Sequence, residues 1–83
     1  MSRATEIKGF AERFNERLDP SLIEEALDYL QYNEETLAFE ILVEHLFEHQ
    51  VPMSANECAT AESLAADMSI ECNAVKRLRE LVK

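Results

Sequence analysis

His45-Leu46-Phe47-Glu48-His49 is the run in this chain with the clearest set of ligand atoms. It matches H-x-x-E-H, the pattern of inverted zinc peptidases. Residues four apart share a helical face, so both imidazoles are placed as zinc ligation requires. Three features weigh against zinc catalysis. The chain, at 83 residues, is too short for a peptidase cleft. The histidines fall at the centre of an apolar face beside Ile41 and Leu42. No third ligand is obvious, Glu71 being the one that can be proposed. A motif without its structural context carries little weight. The expectation is therefore that both histidines pack against a neighbouring helix, each bonded to a carbonyl or carboxylate.

Other catalytic sets are missing. A single glycine excludes a Gly-rich phosphate loop, and no Glu-x-x-His pair exists for a di-iron bundle. Cys58 and Cys72 lack CxxC spacing and suit a buried, reduced pair in the cytosol. No local feature brings either one, exposed, beside a histidine. No enzyme activity, metal or cofactor is expected.

The histidines lie on the stretch that organises the chain, a central apolar helix at about 34–50. At 100° per residue, Ala38, Ile41, Leu42, His45, Leu46 and His49 cover one face. Phe39, Val43 and Phe47 extend the apolar surface, either as monomer core or as a dimer surface, so the oligomeric state is left open. Glu40, Glu44 and Glu48 form the polar stripe. Like charges at this spacing cost about a few tenths of a kcal/mol per pair. Glu34 and Glu35, in the first turn, suit the helix dipole. Asn33 reads as the cap.

Around this helix the pattern predicts an all-α, compact four- to five-helix bundle forming one domain over 1–83. Helix 1 is expected from about Ala4 to Leu18, with Ile7, Phe10, Ala11, Phe14 and Leu18 inward. Its exposed Lys8, Glu12, Arg13, Glu16 and Arg17 read as an ordinary salt-bridged face. Asp19-Pro20 supplies an N-cap and first-turn proline for a helix to about Tyr32. There Leu22, Ile23, Ala26, Leu27 and Leu30 pack, while Glu24, Glu25, Asp28 and Tyr32 face out. Ser54 to Glu57 reads as a capping box for a helix burying Cys58, Ala61, Leu64, Ala65 and Met68. Ser69-Ile70 marks a turn, and a last helix of about Cys72 to Val82 buries Val75, Leu78 and Leu81 or Val82 and exposes Lys76, Arg77, Arg79 and Lys83.

The charge is one-sided. The formal net charge is −9, and all eight Lys and Arg lie within Arg3–Arg17 or Lys76–Lys83. The segment between carries thirteen acids and no base. Such a balance opposes direct binding to nucleic acid or an anionic membrane and favours a basic partner. No apolar run approaches a membrane span, and MSRATEIKGF lacks the apolar core of a secretory signal, so a cytoplasmic protein is expected. A tyrosine ringed by acids, as Tyr32 is, has the composition of an interaction hot spot.

The run Glu34-Glu35-Thr36-Leu37-Ala38-Phe39-Glu40-Ile41-Leu42, followed by Leu46 and Glu48, resembles a segment of small bacterial immunity proteins of the MafI-like family. Ala26-Leu27-Asp28-Tyr29-Leu30 and Val51-Pro52-Met53-Ser54 fit the same picture, so the resemblance covers roughly residues 20–70. It implies a stoichiometric inhibitor in the cytoplasm that binds a cognate toxin domain, as in contact-dependent inhibition systems. Many such toxins cleave RNA or DNA and have basic clefts, which agrees with the charge reading. Glu24, Glu25, Asp28 and Tyr32, with Glu40, Glu44 and Glu48, are the expected partner-binding residues. The alternative is a helix-turn-helix DNA-binding regulator. It would use Lys76, Arg77 and Arg79 on the helix at about 72–82, with Ser69 where the turn glycine is usual. The missing glycine and the acidic charge count against it.

Overall fold

Asp19 and Pro20 start the second helix as their chemistry dictates. The Asp19 carboxylate accepts from the Ser21 N–H at 2.9 Å, and Pro20 occupies the first helical position. Ser54 and Glu57 likewise form a complete capping box: the Ser54 Oγ accepts from the Glu57 N–H at 3.1 Å, and the Glu57 carboxylate accepts from the Ser54 N–H at 2.9 Å. In the computed structural model, which describes residues 3–70 and 73–82, these signals delimit α2 (Pro20–Asp28) and α4 (Ala55–Asp67). Ala4–Glu12 is α1, Glu35–Glu48 is α3 and Asn73–Arg77 is α5. Tyr29–Tyr32 and Leu78–Leu81 continue α2 and α5 as tighter 3-10 turns. The expectations for Glu71, Cys72 and Lys83 lie outside the described residues.

The architecture is the expected all-α bundle, with α3 at its centre in contact with α1, α2 and α5. Phe39, Leu42, Val43 and Leu46 of α3 are buried, so the Phe39–Val43 flank is core and not a free surface. One hydrophobic cluster joins them to Ile7, Phe10 and Phe14, to Ile23 and Ala26, to Cys58, Ala61 and Leu64, and to Val75, Leu78 and Leu81. Phe10 meets Phe14 edge-on at 5.2 Å and reaches Phe39 at 6.2 Å, joining α1 to α3. The alanines of α4 let it sit close to α1 and α5.

Several expectations need correction. α1 ends at Glu12, not Leu18. Beyond it the N–H groups of Phe14, Asn15 and Arg17 bond three residues back, so the chain tightens into turns that still bury Phe14 and Leu18. The last helix ends at Arg77 before a 3-10 turn. Asn33 does not cap α3. It has φ 58° and closes the 3-10 turn after α2, a left-handed position that Asn tolerates better than most residues. Glu34 precedes α3 and makes no side-chain cap. Glu35 bonds instead across the fold, its Oε2 accepting from the Arg3 N–H at 2.8 Å. Met68 is only partly buried.

Ser69 ends α4 with φ 57°, so the turn stands where it was expected and serine holds a conformation that suits glycine. A Cβ in the left-handed region is strained by about 1–2 kcal/mol, offset in part by glycine's greater unfolded-state entropy. Ser69→Gly is therefore expected to raise stability by about 0.5–1 kcal/mol. Thermal unfolding should show a midpoint several degrees higher.

Candidate functional site: an acidic face on α2 and α3

The face is built from polar positions that the core leaves over. On α2, burial of Ile23 and Ala26 turns Glu24, Glu25 and Asp28 into solvent. The tightening after Asp28 carries Tyr32 round beside them. Glu25, Asp28, Tyr29 and Tyr32 line one shallow cleft, so three of the four α2 residues singled out come together, and Glu24 is exposed close by in sequence. Tyr32 is 71% exposed. An aromatic ring that wide open to water contributes little to the core.

On α3, burial of Phe39, Leu42, Val43 and Leu46 leaves the opposite stripe outside. Glu44 and Glu48 are exposed, while Glu40 is half-buried and belongs partly to the helix packing. Leu37, 40% exposed, begins the same stripe, three residues before Glu40 and seven before Glu44. Leu37 and Tyr32 are the exposed large hydrophobic residues among those described; Tyr32 lies beside the α2 acids and Leu37 on the α3 stripe. Sequence reasoning passed over Leu37. The signal was its helical spacing to the glutamates, hidden by its apolar type.

The two helices meet at His45. Its Nε2 stands 3.8 Å from the Glu25 Oε1, and its side chain is 17% exposed. His49, four residues on, is exposed, and the ring centroids are 6.4 Å apart. The expectation that both histidines pack and hydrogen-bond is corrected: His49 lies on the surface, and neither ring nitrogen of His45 has a hydrogen-bond partner. Asp19, at the start of α2, is held below its ordinary carboxyl range by the hydrogen bonds from Ser21 and, more weakly, by His49.

What sets this face apart is how few of its acids are paired, although Lys8 lines a cleft with Asp28. Among the described residues, Glu24, Asp28, Glu40, Glu44 and Glu48 make no ion pair, whereas the arginines are engaged elsewhere. Arg79 holds Glu62 at 2.7 Å. Arg77 pairs with Glu80 at 3.2 Å and lies 4.2 Å over the Phe47 ring. Arg3 pairs with Glu6 and Asp67.

Arg17 is the largest departure from the expected helix 1 surface. Its two terminal nitrogens donate to both oxygens of Glu57 at 2.9 and 2.7 Å, to the Pro52 carbonyl at 3.1 Å and to the Arg13 carbonyl at 2.8 Å. The guanidinium also stacks 4.5 Å over the Phe14 ring. Glu57 is 6% exposed, and the Arg17 hydrogen bonds pull its pKa down to about 2 against the opposing effect of burial. This is a structural lock, and it removes Glu57 from the partner-directed acids.

Cys58 is fully buried, and burial pushes its thiol pKa up, with the nearby Glu62 adding to the shift. It is inert as a nucleophile. Among the described residues no helix is long and apolar enough to cross a membrane. No family model, curated protein or solved structure matches the chain.

Proposed function

We propose that this chain is an immunity-type inhibitor that binds and neutralises a cognate, basic bacterial toxin domain in the cytoplasm. The toxin is proposed to be an RNA-cleaving nuclease of a contact-dependent inhibition system. The observation that carries the reading is the set of largely unpaired acids on α2 and α3, with Tyr32 exposed beside the α2 acids and Leu37 exposed on the α3 stripe. Acids without counter-ions raise the monomer's own free energy by repulsion and contribute nothing to its core. A basic cleft that binds a phosphate backbone is the complementary surface. Glu24, Glu25, Asp28, Glu44 and Glu48 would occupy the positions of the phosphates, while Tyr32 and Leu37 would supply desolvated anchors. Inhibition follows from occlusion of the cleft and needs no catalytic group.

The DNA-binding alternative is less well supported. Arg77 and Arg79 already neutralise Glu80 and Glu62, and α5 has five described residues before the 3-10 turn.

Co-expression with a basic nuclease toxin domain from a neighbouring gene tests the proposal. Cells carrying both genes should survive, and the purified proteins should form a stoichiometric complex without nuclease activity. Continued killing, or no association at micromolar concentration, rejects it.

A further inference from the structure

The H-x-x-E-H run lacks the setting of a peptidase, yet the geometry behind the pattern is present. One ligand atom from each of His45, Glu48 and His49 lies within 4.8 Å of the others. A tetrahedral ion with bonds of about 2.1 Å holds its ligand atoms about 3.4 Å apart. Side-chain rotations of Glu48 and His49, both exposed, cover the remaining gap of at most about 1.4 Å.

His45 supplies the second observation. It is largely enclosed between α2 and α3, and both of its ring nitrogens are shut off from solvent with no hydrogen-bond partner. Buried polar atoms in that condition are rare and destabilising unless something satisfies them. The Glu25 Oε1 faces Nε2 at 3.8 Å, too far for a hydrogen bond. That separation suits an atom between them: two ligands at about 2.1 Å from one ion stand about 3.4–4.2 Å apart, depending on the angle.

We propose that His45, Glu48 and His49 bind one divalent transition-metal ion, best matched by zinc, and that the exposed Glu25 side chain of α2 rotates in from beside His45 as the fourth ligand. Imidazole with carboxylate and no thiolate suits zinc, nickel or copper and not calcium or magnesium. The ion ties α2 to α3 at the edge where they meet and gives one of the two unpartnered His45 nitrogens a partner. It also neutralises two carboxylates of the acidic face, so metal occupancy tunes that surface. The site does not depend on the inhibitor reading, because it is tested on the protein alone.

The test is titration of chelator-treated protein with zinc, followed by calorimetry, thermal unfolding and the imidazole NMR signals. The chain holds two histidines, so both rings are assignable. One equivalent of zinc should shift both rings. At free zinc about a hundred times Kd, the unfolding midpoint should rise by about 10 °C or more. His45→Ala and His49→Ala should each weaken binding by at least about 100-fold, and Glu25→Gln and Glu48→Gln by about tenfold. His49 and Glu48 are exposed, so His49→Ala and Glu48→Gln report on the site even if His45→Ala unfolds the chain. Magnesium should give none of these effects. Unmoved imidazole signals overturn the proposal. So does zinc binding that survives His49→Ala undiminished, or that is lost in Cys72→Ser.

Discussion

Arg17→Met is expected to destabilise the fold by about 3 kcal/mol. The methionine keeps the apolar contact with Phe14 but removes every polar partner that Arg17 offers to Glu57 and to the Pro52 and Arg13 carbonyls. The Glu57 carboxylate stays buried, held by the Ser54 N–H and by the looser approach of Arg13 at 4.0 Å, and breaking a buried pair costs about 3–5 kcal/mol. The lower end applies because the Arg17 side chain is 33% exposed and water screens part of the pair. For a domain of this length, whose total stability is about 4–12 kcal/mol, that is a large share. The double variant Arg17→Met with Glu57→Gln should recover most of the loss, since glutamine still accepts from Ser54 and carries no charge. Denaturant unfolding of the four proteins gives the coupling, and a double variant as unstable as Arg17→Met alone would refute the account.

The same pair sets the acid limit of the fold. Glu57 has a folded-state pKa of about 2 against an ordinary value of 4.5. A carboxylate with a depressed folded pKa stabilises the native state while it is ionised. Its contribution is therefore complete above pH 4.5 and declines as the pH falls towards 2. Discounted for screening, that decline is worth about 2–3 kcal/mol in the wild type. Between these pH values the stability slope due to Glu57 should be absent from Glu57→Gln.

Association with a basic partner should slow by about 10–100-fold at low salt in the double variant Glu24→Lys with Glu44→Lys. Each substitution changes the charge by two, taking the net charge from −9 to −5. Both positions are exposed, so folding is little affected. Glu40 is a poorer probe, because its partial burial mixes packing with charge. Steering acts on the encounter, so the loss belongs in kon and should shrink as salt screens the field. Tyr32→Ala should instead raise koff, because an anchoring ring acts after contact. Stopped-flow association across a salt series separates the two, and a kon insensitive to both charge reversal and salt would remove the acidic face from recognition.

Local chemistry was legible in the sequence where it acts over a few residues. The Asp19-Pro20 start, the Ser54–Glu57 capping box and the turn at Ser69 each depend on neighbours within three or four positions, and each stands as expected. So does the clustering of Glu25, Asp28 and Tyr32, spaced along one helix and its 3-10 extension. Errors arose where a local signal competed with something distant. Asn33 suits an N-cap and a left-handed closure equally, and the tightening after α2 decided between them. Phe14 and Leu18 kept helical spacing beyond the end of α1, because turns with bonds three residues back preserve nearly the same faces. The Arg17–Glu57 lock spans 40 positions, and the approach of Glu25 to His45 depends on how α2 lies on α3. No spacing rule encodes either one.

The Met53 N–H donates to the Leu81 carbonyl at 3.2 Å, and Met53 pairs with Val82 as a short parallel bridge. With Leu78 and Leu81, α5 and its extension close the side of α3 that carries Val43 and Phe47. On a ribosome adding about 5–20 residues per second, the 33 residues from Glu48 to Leu81 take about 2–7 s to appear. Until that segment is made, the flank of α3 that it covers has no partner. The packing of α3 is therefore completed only after α5 and its extension have been synthesised.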